Sequence, residues 1–193
     1  MLRWIQRVLF AFAFVAFAYC TYVMTESWIF QREEDRNLER LVVAHQTPII
    51  DSSPTPEVRV KVQPGGLVGR ISVARLGVSV IVMEGTDTRT LRRAAGHING
   101  TALPGQDGNV GIAAHRDTFF RPLRDIRKDD LITITTARGD YRYRVVSTQI
   151  VGPDDVSVLN SDGSDVLTLV TCYPFNFIGS APNRFIVRAE QIS

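Results

Sequence analysis

The sequence predicts a mostly-β domain, a small closed or half-closed barrel with short helices, behind an N-terminal transmembrane helix. Three observations support this. Seven or so short apolar or alternating segments, parted by Gly, Pro and Asp turns, fill the last two-thirds of the 193-residue chain. A charge-free apolar run, Val8 to Met24, lies near the front. Between them is a stretch rich in Pro, Ser and Thr that reads as an extended linker.

Residues 1–25 form the expected cytoplasmic tip and anchor. Seventeen residues of helix span about 25 Å, near the lower limit for a hydrocarbon core of about 30 Å. Trp4 and Trp28 flank the run as interfacial anchors, and Arg3 and Arg7 predict a short cytoplasmic N-terminus with the bulk of the chain outside. That is a single-pass protein of the cytoplasmic membrane with an extracytoplasmic domain. Ala16-Phe17-Ala18 has the small-x-small pattern of a signal-peptide cleavage site, but the apolar run continues six residues past it. The run "FAYC" lacks the small residue that a lipoprotein site places before its cysteine.

Residues 26–45 predict a juxtamembrane helix, from good helix formers and apolar Trp28, Ile29, Leu38, Leu41 and Val42 at roughly helical spacing. It reads as a stalk or as a helix packed on the domain, and is too short to support a coiled coil. Residues 46–66 are the linker and 67–193 the domain proper, long enough to bury about two-thirds of its unfolded surface. Strands are expected at 67–73, 78–83, 110–114, 131–136, 141–151, 166–171 and 184–190, with "ARLG" and "ARGD" as turns. Brief helices are expected at 88–94, 119–123 and 154–159, the last capped by Asp154.

Net charge is only +2, so no nucleic-acid footprint is visible. Cysteine usage says more. Cys20 lies in the apolar run, so Cys172 is alone in the outer domain and has no partner there for a disulfide. A lone thiol at the end of a strand is either buried and inert or present for chemistry.

A thiol attacks as thiolate and needs a neighbouring positive charge or base. His97 and His115 are the bases within the domain, while His45 sits at the linker edge. His115 follows the short apolar strand in "GNVGIAAHRDTFF", so it too stands at a strand end, and Arg184 opens the last strand. A guanidinium there can steady a thiolate and donate to a tetrahedral oxyanion. Cys, His and Arg at three strand ends are a constellation for acyl transfer through a thioester. On spacing alone, an inert cysteine and a satisfied histidine explain the same residues.

The run "LTLVTCYPFNFIGSAPNRFIVRA" resembles the sortase signature, Thr-Leu-x-Thr-Cys with an arginine about a dozen residues on. "GNVGIAAHRDTFFRPLRDI" is similar to the histidine segment of the family, particularly that of class D sortases. The likeness covers roughly residues 67–193, and the order His, Cys, Arg agrees. It implies a membrane-anchored cysteine transpeptidase with a closed eight-stranded β-barrel. By position His115 would be the general acid/base, Cys172 the nucleophile, and Arg184 the oxyanion and substrate-positioning residue. The implied substrates are secreted proteins bearing a C-terminal Leu-Pro-x-Thr-like sorting signal. The implied acceptor is an amine of the cell envelope or a pilin. One departure is Ala114, where glycine often precedes the histidine; it leaves every catalytic atom in place.

Neighbouring residues carry two readings each. Asp117 either orients a catalytic group or caps a helix beginning near Thr118. Arg116 reads as solvated or ion-paired. Thr171 helps shape the site or is a plain strand residue. His97 lies in a turn-rich segment, residues 96–109, that could line a substrate groove. Tyr173 opens the loop to Asn183, whose Pro, Gly and aromatic residues suit a wall for an extended peptide. Thr171, His97, Asp117 and Tyr173 are therefore the candidate substrate contacts. No short metal-ligand spacing is present, and neither metal nor cofactor is expected. An L,D-transpeptidase would carry its histidine beside the nucleophile, whereas His115 lies 57 residues before Cys172. A thiol hydrolase on the same fold and a catalytically silent envelope-binding module remain as alternative functions.

Overall fold

The computed structural model describes residues 2–46, 62–161 and 163–192. Most of the expected linker, residues 47–61, lies outside them. The first element is one continuous helix, α1 (Leu2–Gln46), where the sequence suggested an anchor followed by a separate helix. No Gly or Pro interrupts those residues, and Pro48 follows soon after the end. Its apolar first half has almost nothing packed on it, with Phe10, Phe12, Phe14 and Phe17 all largely exposed. It is long and apolar enough to cross a membrane.

Eight strands follow: β1 (Leu67–Val73), β2 (Val78–Glu84), β3 (Ala95–His97), β4 (Asn109–Ala113), β5 (Leu131–Thr136), β6 (Gly139–Val151), β7 (Val166–Tyr173) and β8 (Asn183–Ile192). They close into a barrel in the order β1-β2-β3-β4-β7-β8-β6-β5, with β5 pairing back onto β1. Only β2–β3 and β4–β7 run parallel. Seven of the strands follow the apolar segments. The eighth, β3, is Ala-Gly-His, too short and too small to show any period. A methyl group on Gly96 would come within 2.3 Å of the Gly85 carbonyl oxygen, so glycine is what lets this strand approach β2.

The core is read off by alternation. Ile71 and Val73, Val80 and Val82, Val110 and Ile112, Ile132 and Ile134, Leu167 and Leu169, and Val187 and Ala189 all point into the barrel. Each Val, Leu or Ile among them contributes about 1.5–3 kcal/mol on burial. The opposite face of β2 is also covered: Ile81 and Met83 pack with Ala94 against Phe30 of α1. This is why "VIVM" is a continuous apolar run rather than an alternating one.

The second half of α1 is therefore a helix packed on the domain. Gln31 Oε1 accepts from the Ile81 amide at 2.8 Å, and its Nε2 donates to the Arg93 carbonyl at 2.7 Å. Arg70 pairs with Asp35 at 2.7 Å, Arg93 pairs with Glu26, and Leu38 is only 1% exposed. Helix α2 (Thr88–Arg93) is capped by Asp87, whose carboxylate accepts from the amides of Arg89 and Thr90. The other two expected helices are short 3-10 turns, Arg121–Asp125 and Val156–Leu159. Asp155, not Asp154, caps the latter, because its carboxylate is the one that reaches the Ser157 amide.

Candidate active site

Strands β4 and β7 lie side by side and parallel, so their C-terminal ends leave the barrel at the same rim. The Ala113–Val170 pair is the last rung of that ladder, and the Ala114 amide extends it by donating to the Val170 carbonyl at 3.2 Å. His115 is the next residue on one chain, and Cys172 lies two residues beyond Val170 on the other. Thr171 ties the two together, its buried hydroxyl donating to the Ala114 carbonyl at 2.8 Å. The small Ala114, 6% exposed, thus accepts from the residue before the cysteine while preceding the histidine.

Strand β8 runs back antiparallel to β7 and brings in the third residue. Cys172 and Arg184 are direct cross-strand partners. Partners on one rung project to the same face with Cβ atoms about 4.5–5.5 Å apart. By alternation that face is the one opposite Leu169 and Val187, outside the barrel core. Cys172 is a half-buried free thiol, and His115 is exposed. Arg184 is half-buried, and its Nη1 donates to the carbonyls of Ala181 at 3.3 Å and Asn183 at 3.0 Å. The arrangement offers a thiol, an imidazole and a guanidinium at neighbouring strand ends, none of them fully buried.

Of the four candidate substrate contacts, Thr171 and Tyr173 flank Cys172 in β7. Thr171 bonds to Ala114, as described. Tyr173 follows the cysteine, stacks on Phe185 at 6.3 Å between centroids and meets the edge of Phe175 at 6.0 Å. Phe175 and Phe185 meet in turn at 5.3 Å, closing the barrel end beneath the loop.

His97 does not line a groove, and Asp117 is not a helix cap. His97 is 2% exposed, with Nδ1 2.7 Å from the Glu84 carboxylate and Nε2 2.9 Å from the Ala102 carbonyl. Both ring nitrogens are committed to holding the β3–β4 connection, and none is left for a peptide. Asp117 caps nothing, because the chain makes turns from Arg116 to Phe120 and the next helical turn starts at Arg121 without a side-chain cap. It is 65% exposed and lies 3.4 Å from Arg116 Nε.

Of the two readings of Arg116, solvated or ion-paired, the second holds in part, through Asp117. The residue is not solvated but 5% exposed, and its guanidinium donates to the carbonyls of Pro174 (2.9 Å), Phe177 (2.6 Å) and Gly179 (3.1 Å). Those carbonyls belong to the loop after Cys172. Their position inside an irregular loop leaves no trace in local sequence. Among the described residues, no three His, Cys, Asp or Glu side chains converge in a way that could hold a metal ion.

Comparison with known proteins agrees with this geometry. A sortase domain family model matches residues 71–192. Sortase D of Bacillus subtilis (strain 168) is 31% identical over 134 residues, covering 69% of this chain and 68% of its own. Sortase A of Listeria monocytogenes is 32% identical over 110 residues, 55% of this chain and about half (49%) of the relative. The solved structure of a Clostridium perfringens sortase D5 transpeptidase superposes with a TM-score of 0.63 at 30% identity, covering 69% of this chain and 83% of that one. The SrtA sortase of Actinomyces oris gives 0.64 at 28% identity, covering 72% and 87%.

Proposed function

The chain belongs to the sortase family and is a sortase-type cysteine transpeptidase, and from that premise we propose that Cys172, His115 and Arg184 are its reacting set. The observation that carries the assignment is the shared edge: Cys172 and Arg184 on one rung, and His115 leaving the neighbouring strand tied to the first by the Thr171–Ala114 bond. The substrates are secreted proteins with a C-terminal Leu-Pro-x-Thr-like signal. The Cys172 thiolate attacks the carbonyl carbon of the signal's threonine, and a C–S bond forms. The negative charge moves to the carbonyl oxygen, where Arg184 donates to it. When the C–N bond breaks, His115 gives its proton to the departing amine, leaving a thioester on Cys172. An amine of the cell envelope or a pilin then attacks the thioester and loses its proton to His115, and the thiolate returns. Helix α1 anchors the enzyme in the cytoplasmic membrane with the barrel outside.

Intact-mass spectrometry of the full chain in detergent micelles tests this. The protein is mixed with a pool of Leu-Pro-x-Thr-x peptides, with and without a small amine, beside Cys172→Ala. A hydroxylamine-labile adduct on the wild type alone, converted to ligated peptide by the amine, is the expected outcome. A folded protein with a reactive thiol and no adduct from any peptide would sink the sorting-signal assignment.

A further inference from the structure

We propose that Arg116 is a positioning residue that latches the loop after Cys172 to the segment carrying His115, so that nucleophile and acid/base move as one body. The inference rests on reading Cys172 and His115 as the reacting pair. Along the chain these two are 57 residues apart. Two hydrogen bonds shorten that path, and they bracket the pair. On the barrel side Thr171 donates to the carbonyl of Ala114; on the solvent side Arg116 donates to the carbonyl of Pro174. The residue before each reacting group is thereby tied to its counterpart, and so is a residue just beyond each. A relative shift of His115 and Cys172 would have to break one tie or the other.

The solvent-side tie is strong for a physical reason. A buried guanidinium is tolerated only if its donors are satisfied. For Arg116 the acceptors are almost all loop carbonyls: Pro174, Phe177 and Gly179, with the Phe177 ring 5.9 Å from the guanidinium carbon. Its carboxylate neighbour, Asp117, is 3.4 Å away and 65% exposed, so it supplies little. If residues 174–179 swung away, a charged group would be stripped of its acceptors. The cost of that state holds the loop down. Within the loop Phe175 adds a contact, packing on Tyr173 and Phe185, while Ile178 is almost fully exposed. The guanidinium reaches these carbonyls from two nitrogens, Nη1 to Pro174 and Nη2 to Phe177 and Gly179, a spread that the single nitrogen of an ammonium lacks.

The test uses full-length protein in micelles and no peptide substrate, so failure of the sorting-signal assignment leaves it standing. Wild type, Arg116→Gln and Arg116→Lys are compared by hydrogen exchange of the 175–179 amides, with β5 and β6 as internal standard. The pH profile of Cys172 alkylation by iodoacetamide is followed in parallel, with Cys20 resolved by peptide mapping. Arg116→Gln is expected to speed loop exchange by about tenfold or more, leave β5 and β6 unchanged, and displace the alkylation profile. Arg116→Lys is expected to restore part of both. An unchanged loop and profile in Arg116→Gln overturns the proposal, as does exchange raised equally across the barrel, which would mark a plain fold-supporting residue. Should Arg116→Gln not fold, Arg116→Lys decides: loosened 175–179 amides support the latch, and wild-type amides overturn it.

Discussion

Arg184 holds two backbone oxygens before any substrate arrives, those of Ala181 and Asn183, both through Nη1. That engagement orients the planar fork while Nη2 and Nε have no partner among the described residues. Arg184→Lys keeps the charge and loses the fork, and should lower kcat/KM for peptide ligation by about 10²–10³. Full activity in that variant would remove the oxyanion role. A second residue bears on stability alone. Tyr143 is 1% exposed in the core, and its hydroxyl finds no partner among the described residues. Burial pushes its pKa up, since a phenolate there would be desolvated. Tyr143→Phe removes an unpaired polar atom and keeps the ring, so thermal unfolding should show a gain of about 1 kcal/mol. A loss instead would mean that the hydroxyl is satisfied.

Among the elements, α1 does more than reach the membrane. Strand β3 pairs with β2 only from Val82 onward, so the earlier part of β2 has no strand on that side. The helix covers it, and Gln31 accepts the Ile81 amide that would otherwise face an open edge. A chain beginning after Gln46 would uncover Ile81, Met83 and Ala94 and free that amide. It should unfold at lower urea than the full chain, by about 2–4 kcal/mol. Equal stability would mean that α1 is a passive stalk. The turn joining β1 to β2 is held just as specifically. Arg75 forks onto Asp130 at 2.5 and 2.6 Å, and the Arg127 amide donates to the same carboxylate at 2.7 Å. Arg75 chiefly, helped by that amide and opposed by burial, holds the Asp130 carboxyl below its ordinary pKa. A lowered carboxyl stabilises the fold above its unfolded pKa of about 4, and that contribution is lost as pH falls through the lower native value. Asp130→Asn should therefore cost about 1–3 kcal/mol at neutral pH. The gap from wild type should close toward about pH 2 in acid-unfolding curves, and a constant gap would assign the loss to packing.

For the molecule as a whole, the arginines before the apolar run place the barrel outside the cell under the proposed orientation. Protease added to intact spheroplasts should then degrade the barrel, while inside-out vesicles protect it. The reverse pattern would overturn the orientation and leave the chemistry untouched. Under that proposed orientation, a continuous α1 whose second half packs on β1 and β2 would keep the barrel close to the membrane rather than on a free tether.

The mostly-β class and seven of the eight strands were legible in the amino-acid sequence, as were the three residues proposed to react. Strand periodicity is written in successive residues, as in Leu131–Thr136, and the sortase signature around Cys172 is nearly contiguous. Position at a strand end was enough to nominate His115 and Arg184. Tertiary structure alone decided the rest, because the deciding partners are far apart in the chain. Ala95–His97 is a strand only because β2 and β4 flank it. His97 looked like a groove residue until Glu84 and Ala102 closed around its ring. Arg116 read as solvated or ion-paired, and its three carbonyl partners come from a loop about 60 residues away, where no local pattern encodes how the oxygens will turn.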